Sequence, residues 1–188
     1  MVHTPSPSRI FSPRPLRSRF TRGRFFAALV LMGLCALGYS ALGLTLSQRP
    51  GLVTEVADGD TLVVLSEKGS PIRVRLFGID APEYHQTGGR EAAAFARNML
   101  LGKQVTLATV DEDKYGRTVA VIHLPDGTNV NKAMVGAGHA WVYRQFCKEY
   151  FCAAWIYQEY QARQQRHGLW REQNPQEPWE WRRHNPRP

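Results

Sequence analysis

Three carboxylates fall where strand-like patterns begin or end. Asp60 directly precedes the apolar run TLVVLS, and Asp80 and Glu83 end or follow the run PIRVRLFGID. Turns at strand ends can bring such side chains together, and clustered acids are costly unless a cation neutralises them. Oxygen-only ligands favour a hard ion such as Ca²⁺ over zinc. The pattern predicts a hard-cation site, although DGDT at residues 58–61 would by itself be an ordinary surface turn.

Two arginines accompany these acids, Arg75 within one strand pattern and Arg117 at the start of another, after the polar turn DKYG. Guanidinium groups can form paired hydrogen bonds to phosphate oxygens. With a metal and an attacking water, the acids and arginines form a coherent set for phosphodiester cleavage. Arg75 and Asp80 are five residues apart and would face opposite sides of a regular strand, so we expect a bulge at Gly78 to change that phase.

Five short runs rich in β-branched residues must position this set: LVTEV, TLVVLS, PIRVRLFGI, QVTLATV and RTVAVIHL. Helical patterns occur in GGREAAAFARNMLLGK, in NVNKAMVGAGHAWV, and in a third segment that begins near Cys152 and stops at Gly168. This order predicts an α+β domain over residues 50–172, a five-stranded OB-fold barrel with about three packed helices. Residues 173–188 are rich in Pro and Trp and are interpreted as a tail that either lies on the domain or trails free.

The basic charge of the chain is concentrated at its start. Seven of the 24 basic residues precede residue 50, where no Asp or Glu occurs, so 17 basic residues face all 16 acids in the remainder. A composition that is 43% hydrophobic indicates a globular protein. The overall positive charge is therefore not the electrostatic footprint of a DNA-binding face.

The N-terminal region has the composition of a targeting segment. Residues 1–24 are rich in Pro, Ser and Arg, which predicts a basic disordered tail. Residues 25–46 are 22 uncharged residues, long enough to cross a hydrocarbon layer about 30 Å thick. The flanking arginines predict a cytoplasmic N-terminus, with the domain held outside the cytoplasm, in the periplasm, by an inner-membrane anchor. Cleavage near Ser40 and Ala41 is the alternative, and it would make the protein secreted.

Cys147 and Cys152 bracket the short segment CKEYFC. In an oxidising compartment a disulfide is the natural interpretation of this pair. A metal site is the alternative, but the sequence has no second Cys or His pair at ligand spacing.

The motifs DGDT, RVRLFGIDAPE and DKYGR, in this order and spacing, resemble the thermonuclease family, also called the staphylococcal nuclease-like family. The resemblance runs from about Leu52 to Trp170 and includes VNKAMVGAGHAWV and ARQQRHGLW. It implies an OB-fold barrel with packed helices that hydrolyses DNA and RNA with Ca²⁺, leaving a 5′-hydroxyl and a 3′-phosphate. We expect the protein to be a monomer.

The resemblance also implies roles for individual residues. The metal would be bound by two carboxylates and a backbone carbonyl, those of Asp60, Asp80 and Ala81. Glu83 would orient or deprotonate the attacking water, and Arg75 and Arg117 would hold the phosphate. Further contacts to the nucleotide would come from Lys114 and Tyr115. Asp58 would lie beside the metal without binding it directly.

Two other functions are consistent with parts of the sequence. An OB-type module could bind nucleic acid without cutting it, although Glu83 and both arginines argue for catalysis. A membrane-tethered scaffold could bind a protein through the segment PWEW. The aromatic residues around Trp141 and Tyr143 could stack on bases, but such residues more often pack in a core.

Overall fold

The computed structural model describes residues 48–186, and their strands form a closed barrel. The strands are β1 (Gln48–Val56), β2 (Thr61–Ser66), β3 (Pro71–Leu76), β4 (Ile79–Asp80), β5 (Gln104–Glu112), β6 (Thr118–His123) and β7 (Trp141–Val142). Five of them close the ring in the order β1-β2-β3-β6-β5, and β4 pairs with β7 in a separate two-stranded sheet. The α+β class and the five-stranded barrel are as predicted and are consistent with an OB-fold.

The pairing of β3 with β6 matters most for the candidate site. These strands run parallel, with Arg75 opposite Val119, whereas the other pairs in the barrel are antiparallel. Arg117 precedes Val119 by two residues. Because side chains alternate along a strand with a period of two, Arg75 and Arg117 lie on the same face of the sheet.

The barrel is filled by inward-facing aliphatic residues. These buried side chains come from all five strands and include Val53, Leu62, Val64, Val74, Leu76, Leu107, Ala120 and Ile122. Each strand contributes alternate residues, which is the pattern that a closed barrel with one apolar interior requires. This packed interior supports the closed barrel, and the candidate site residues lie at one edge of it.

Within residues 48–186 four α-helices are present, one more than the sequence predicts. They are α1 (Gly89–Leu100), α2 (Val130–Gly136), α3 (Cys152–Gln164) and α4 (Pro178–His184), with a 3₁₀ turn at Gly168–Arg171. The prediction that the third helix stops at Gly168 is wrong. It ends at Gln164, because the chain turns at Arg166, which has a φ of 53°.

Gly78 separates β3 from β4 and changes the direction of the chain. Its φ is +68°, a conformation that favours glycine, and a Cβ there would lie 2.7 Å from the Cys147 sulfur. The phase change between Arg75 and Asp80 thus comes from a turn rather than from the predicted bulge. The buried Asn131 side chain supports this turn, since its amide donates to the Phe77 carbonyl at 2.9 Å.

Cys147 and Cys152 form a disulfide with their Cα atoms 5.7 Å apart. Both cysteines are buried, and they pack with Trp155 in the main apolar core. The bond joins the start of α3 to the loop that follows β7, next to the Gly78 turn.

We expect reduction of this disulfide to lower the free energy of unfolding by about 2 kcal/mol, because a cross-link over so short a loop removes limited entropy from the unfolded chain. Urea unfolding with and without reductant measures the change. A Cys147→Ser/Cys152→Ser chain provides the control, since reductant should leave its unfolding curve unchanged. Equal stability of the oxidised and reduced wild-type chains would contradict the prediction.

The C-terminal segment lies on the domain as far as Arg182, which contacts Asp80. Pro178 is buried, and the Trp179 ring stacks on Tyr143 with a centroid distance of 5.2 Å. In the described range 48–186, no helix has both the length and the apolar character that crossing a membrane requires. The predicted disordered tail at 1–24 and membrane segment at 25–46 lie outside the described residues.

Candidate active site

Asp60 directly precedes β2 with its carboxylate turned into the protein, and only 1% of the residue is exposed. One carboxylate oxygen accepts the backbone N–H of Ala81 at 2.6 Å, which fixes Asp60 against the end of β4. A Cβ on Gly59 would lie 2.6 Å from the Ala81 Cβ and 3.0 Å from that of Ala92. Glycine at position 59 therefore permits the close approach that brings Asp60 to Ala81.

Arg75 joins the two candidate metal ligands. One of its terminal nitrogens donates to Asp60 Oδ1, and the other donates to Asp80 Oδ1 at 2.6 Å. Asp80 is fully buried, and Arg75 is 18% exposed. Because unpaired buried carboxylates are costly, this guanidinium stabilises the acidic pair.

Asp58 holds the turn before β2 in place, since its carboxylate accepts the Asp60 backbone N–H at 2.9 Å. Burial raises the pKa of Asp58 and outweighs the opposing effect of the nearby Arg75 guanidinium. The structure thus brings Asp58, Asp60, Arg75, Asp80 and Ala81 together at one edge of the barrel.

Glu83 lies in the loop between β4 and α1 and is 21% exposed. Its backbone N–H donates to the side-chain oxygen of Gln86 at 3.2 Å. The amide nitrogen of Gln86, which is itself buried, donates to the Gln176 carbonyl at 2.6 Å. Gln86 therefore fixes the Glu83 loop to the C-terminal segment.

Arg182 of α4 brings Glu83 and Asp80 into one group. Its guanidinium donates to Asp80 Oδ2 at 2.6 Å and Oδ1 at 3.2 Å, and to Glu83 Oε1 at 2.9 Å. Burial disfavours the charge on Arg182, but these two carboxylates outweigh it and raise the arginine's pKa. The sequence reasoning missed this residue, because PWEWRR matches no motif used there and was interpreted as part of a tail.

The remaining candidates form a second cluster in the turn between β5 and β6. Arg117 donates through Nε to Asp113 at 2.7 Å, and its guanidinium lies 5.5 Å from the centre of the Tyr115 ring. Lys114 lies over the same ring at 5.1 Å. The parallel register of β3 and β6 places Arg117 on the face of the sheet that carries Arg75.

Asp113 organises this turn by accepting the backbone N–H groups of Tyr115 and Arg117 at 2.9 and 3.0 Å. Desolvation favours its neutral form, but these hydrogen bonds and the Arg117 side chain prevail, and they lower the pKa of Asp113. The ionised carboxylate therefore positions the Arg117 side chain.

We expect Asp113→Asn to lower the free energy of unfolding by about 0.2–1 kcal/mol at neutral pH, the range for an ion pair at the protein surface. Because folding lowers the pKa of Asp113, its ionised carboxylate stabilises the folded protein fully above the usual pKa of 3.8. This stabilisation is lost as the pH falls through the pKa that Asp113 has in the folded state. Urea unfolding at a series of pH values measures this. The difference in the free energy of unfolding between Asp113→Asn and wild type should shrink as the pH falls through the folded-state pKa of Asp113. Glu112→Gln, at the adjacent end of β5, is the matched control, and a stability difference that stays constant down to pH 2 would contradict the assignment.

The donor set fits a hard cation in its chemistry. Asp60 and Asp80 supply buried carboxylate oxygens, the Ala81 carbonyl is adjacent, and guanidinium groups neutralise both acids. Among residues 48–186 no three His, Cys, Asp or Glu side chains converge as a metal cluster. A cation there would be held by two carboxylates, a carbonyl and water, a set that suits Ca²⁺ better than zinc.

Comparison with known proteins gives a consistent result. Residues 73–172 match the family model described as staphylococcal nuclease homologue. An uncharacterized endonuclease of Escherichia coli O157:H7 is 41% identical over 132 residues, covering 70% of this chain and 84% of that protein. A micrococcal nuclease of Shigella flexneri is 40% identical over 141 residues, covering 71% and 80%. The probable staphylococcal-like nuclease CAN1 of Oryza sativa subsp. japonica is 39% identical over 138 residues, covering 71% and 40%.

Proposed function

The chain belongs to the staphylococcal nuclease family, and on that premise we propose that it is a Ca²⁺-dependent nuclease that cleaves DNA and RNA. It is a hydrolase acting on phosphodiester bonds, and its substrate is nucleic acid. The observation that carries the proposal is the single hydrogen-bonded group formed by Asp60, Arg75, Asp80 and Glu83 through Arg182. These are the residue types that water attack on a phosphodiester requires.

Each side chain has a defined task in the proposed reaction. Glu83, which is partly exposed, orients the attacking water and takes its proton as the bond to phosphorus forms. The bond from phosphorus to the 5′-oxygen breaks, and that oxygen keeps the electron pair and takes a proton from solvent water, which leaves a 5′-hydroxyl and a 3′-phosphate. Glu83 then returns its proton to solvent. Arg75 and Arg117 hold the phosphate oxygens and stabilise the charge that develops on them. When bound by Asp60, Asp80 and the Ala81 carbonyl, Ca²⁺ would supply further positive charge there.

Lys114 and Tyr115 extend this site toward the neighbouring nucleotide. Both are exposed on the turn that carries Arg117, and Tyr115 is 65% exposed. An exposed cation beside an exposed aromatic ring can contact a phosphate and stack on a base.

The test uses the full-length chain, purified in detergent under oxidising conditions, with labelled single-stranded DNA, duplex DNA and RNA. We expect cleavage in Ca²⁺ and none in chelator, and Asp60→Ala should abolish it. Products should accept a 5′ label directly and should prime a polymerase only after phosphatase treatment. Full Ca²⁺-dependent activity in Asp60→Ala would refute the metal assignment. Binding without cleavage under every condition would instead identify a non-catalytic OB-fold module.

We also propose that the domain acts outside the cytoplasm, attached to the inner membrane through residues 25–46 or secreted if that segment is cleaved. The buried disulfide between Cys147 and Cys152 supports an oxidising compartment. Fractionation of cells that express the full chain, followed by sizing of the protein, tests both forms. Recovery of the active chain from the cytoplasm with reduced cysteines would refute this proposal.

A further inference from the structure

Arg182 contacts two of the three acids on which the proposed chemistry depends, Asp80 and Glu83. Both oxygens of Asp80 accept from its guanidinium, and Asp80 Oδ1 also accepts from Arg75. The third Arg182 contact engages Glu83, the proposed base. A bidentate arginine on a fully buried carboxylate forms strong charge-assisted hydrogen bonds, and the Arg182 side chain is itself 32% exposed.

Contacts between α4 and the rest of the domain hold Arg182 in this position, including the packing of Trp179 on the apolar cluster that contains Trp141 and Trp170. α4 has seven residues, and it is anchored by the buried Pro178 and by the ring of Trp179 on Tyr143. Gln86 adds one hydrogen bond to Gln176, just before the helix. The family match ends at residue 172, so α4 lies beyond the part of the chain that the family model covers.

A divalent cation and Arg182 cannot both keep their full contacts with Asp80. The ion would need a lone pair from an oxygen that already accepts from a guanidinium, and it would repel that guanidinium at short distance. Of the two arginines on Asp80, Arg182 is carried by a short helix, whereas Arg75 belongs to β3, a barrel strand paired on both sides with β2 and β6. Arg182 is therefore the cation that the metal would displace.

We propose that α4 is a C-terminal latch, in which Arg182 competes with the divalent cation for Asp80 and blocks Glu83 while the latch is closed. The inference rests on the proposed metal site and adds that metal binding and latch opening are coupled. Coupling is reciprocal, so the ion must loosen α4 by the same factor by which α4 weakens the ion. Because Ca²⁺ must displace Arg182 from Asp80, the latch sets the Ca²⁺ concentration at which the metal binds and cleavage can begin.

The experiment measures Ca²⁺ binding by calorimetry on three full-length chains: wild type, Arg182→Gln and Arg183→Gln. Arg183 is the matched control, because it lies on the same helix but is 71% exposed and pairs with Glu180. We expect Arg182→Gln to bind Ca²⁺ about tenfold more tightly, within the range of typical coupling factors. Arg183→Gln should bind as wild type does.

Hydrogen exchange supplies the reciprocal measurement. The amides of Trp181 and Asn185 donate within the α4 segment to Glu177 and Trp181, and they report whether the helix is closed. Saturating Ca²⁺ should speed their exchange in wild type, whereas in Arg182→Gln they should exchange fast with or without the ion.

The outcomes separate the latch from the function itself. A wild-type chain that binds Ca²⁺ and cleaves nucleic acid, with Arg182→Gln equal or weaker in Ca²⁺ affinity, would overturn the latch alone. An unchanged affinity with a raised KM would instead make Arg182 a substrate-binding arginine. Absence of Ca²⁺ binding in all three chains would overturn the metal site together with the latch.

Discussion

The Glu83→Gln chain is expected to lose about 10³-fold in its rate of phosphodiester cleavage while it still binds Ca²⁺. General-base assistance contributes typically about 10²–10⁴-fold, and the amide of Gln cannot take a proton from water. Gln keeps the shape of the side chain and can still accept from Arg182, so the loop and the latch should remain in place. Single-turnover cleavage of labelled DNA at saturating Ca²⁺ measures the loss.

Glu67→Gln is the control for this experiment, since Glu67 is an exposed residue in the turn after β2. Its rate should match that of wild type. Cleavage by Glu83→Gln within a few fold of wild type would show that another group activates the water. A matching loss of Ca²⁺ affinity would instead place Glu83 among the metal ligands.

The second large effect is expected for Arg75→Gln, which should reduce both activity and stability. Loss of one donor to a developing negative charge costs about 10²–10³-fold in rate. Removing one partner of a buried ion pair costs about 3–5 kcal/mol, because the other charge is left buried. Here two carboxylates, Asp60 and Asp80, would lose the cation that joins them.

Urea unfolding of Arg75→Gln measures the stability, and Ca²⁺ should restore part of it by neutralising the same two acids. Arg73→Gln is the control, because Arg73 is exposed and lies two residues earlier on the same strand. A stable Arg75→Gln chain with normal activity would show that the Arg75 bridge serves neither folding nor catalysis.

The strands were predictable because the single apolar interior of the barrel requires apolar residues at alternate positions of each strand. TLVVLS became β2 at its predicted bounds, and QVTLATV and RTVAVIHL became β5 and β6 with small changes at their ends. β1 begins at Gln48, earlier than predicted, because Gln48–Leu52 pair with β5 to close the ring. Such a pairing depends on a distant strand and leaves no local signal.

The sequence predicts most residues of the candidate site but not the contacts that join them. Motif spacing selected Asp60, Arg75 and Asp80, and the structure joins them, but the turn at Gly78 that aligns them was anticipated only as a bulge. The role of Arg182 could not be predicted from the sequence, because it contacts Asp80, a residue 102 positions earlier in the chain. The helical pattern NVNKAMVGAGHAWV includes the residues of the two-residue strand β7. The sequence does not reveal this strand, because it forms only by pairing with the distant strand β4.

Closure of the barrel has a consequence for how the protein is made. β1 can complete the ring only when Gln104–Ala108 are available to pair with it, and β3 needs β6 beside it. Contacts of such long range are slow to form, and they cannot begin before the later strands have left the ribosome. A growing chain that ends before β6 therefore has the acids and Arg75 but no closed ring to hold them. The candidate site therefore cannot assemble until the chain has been synthesised through β6.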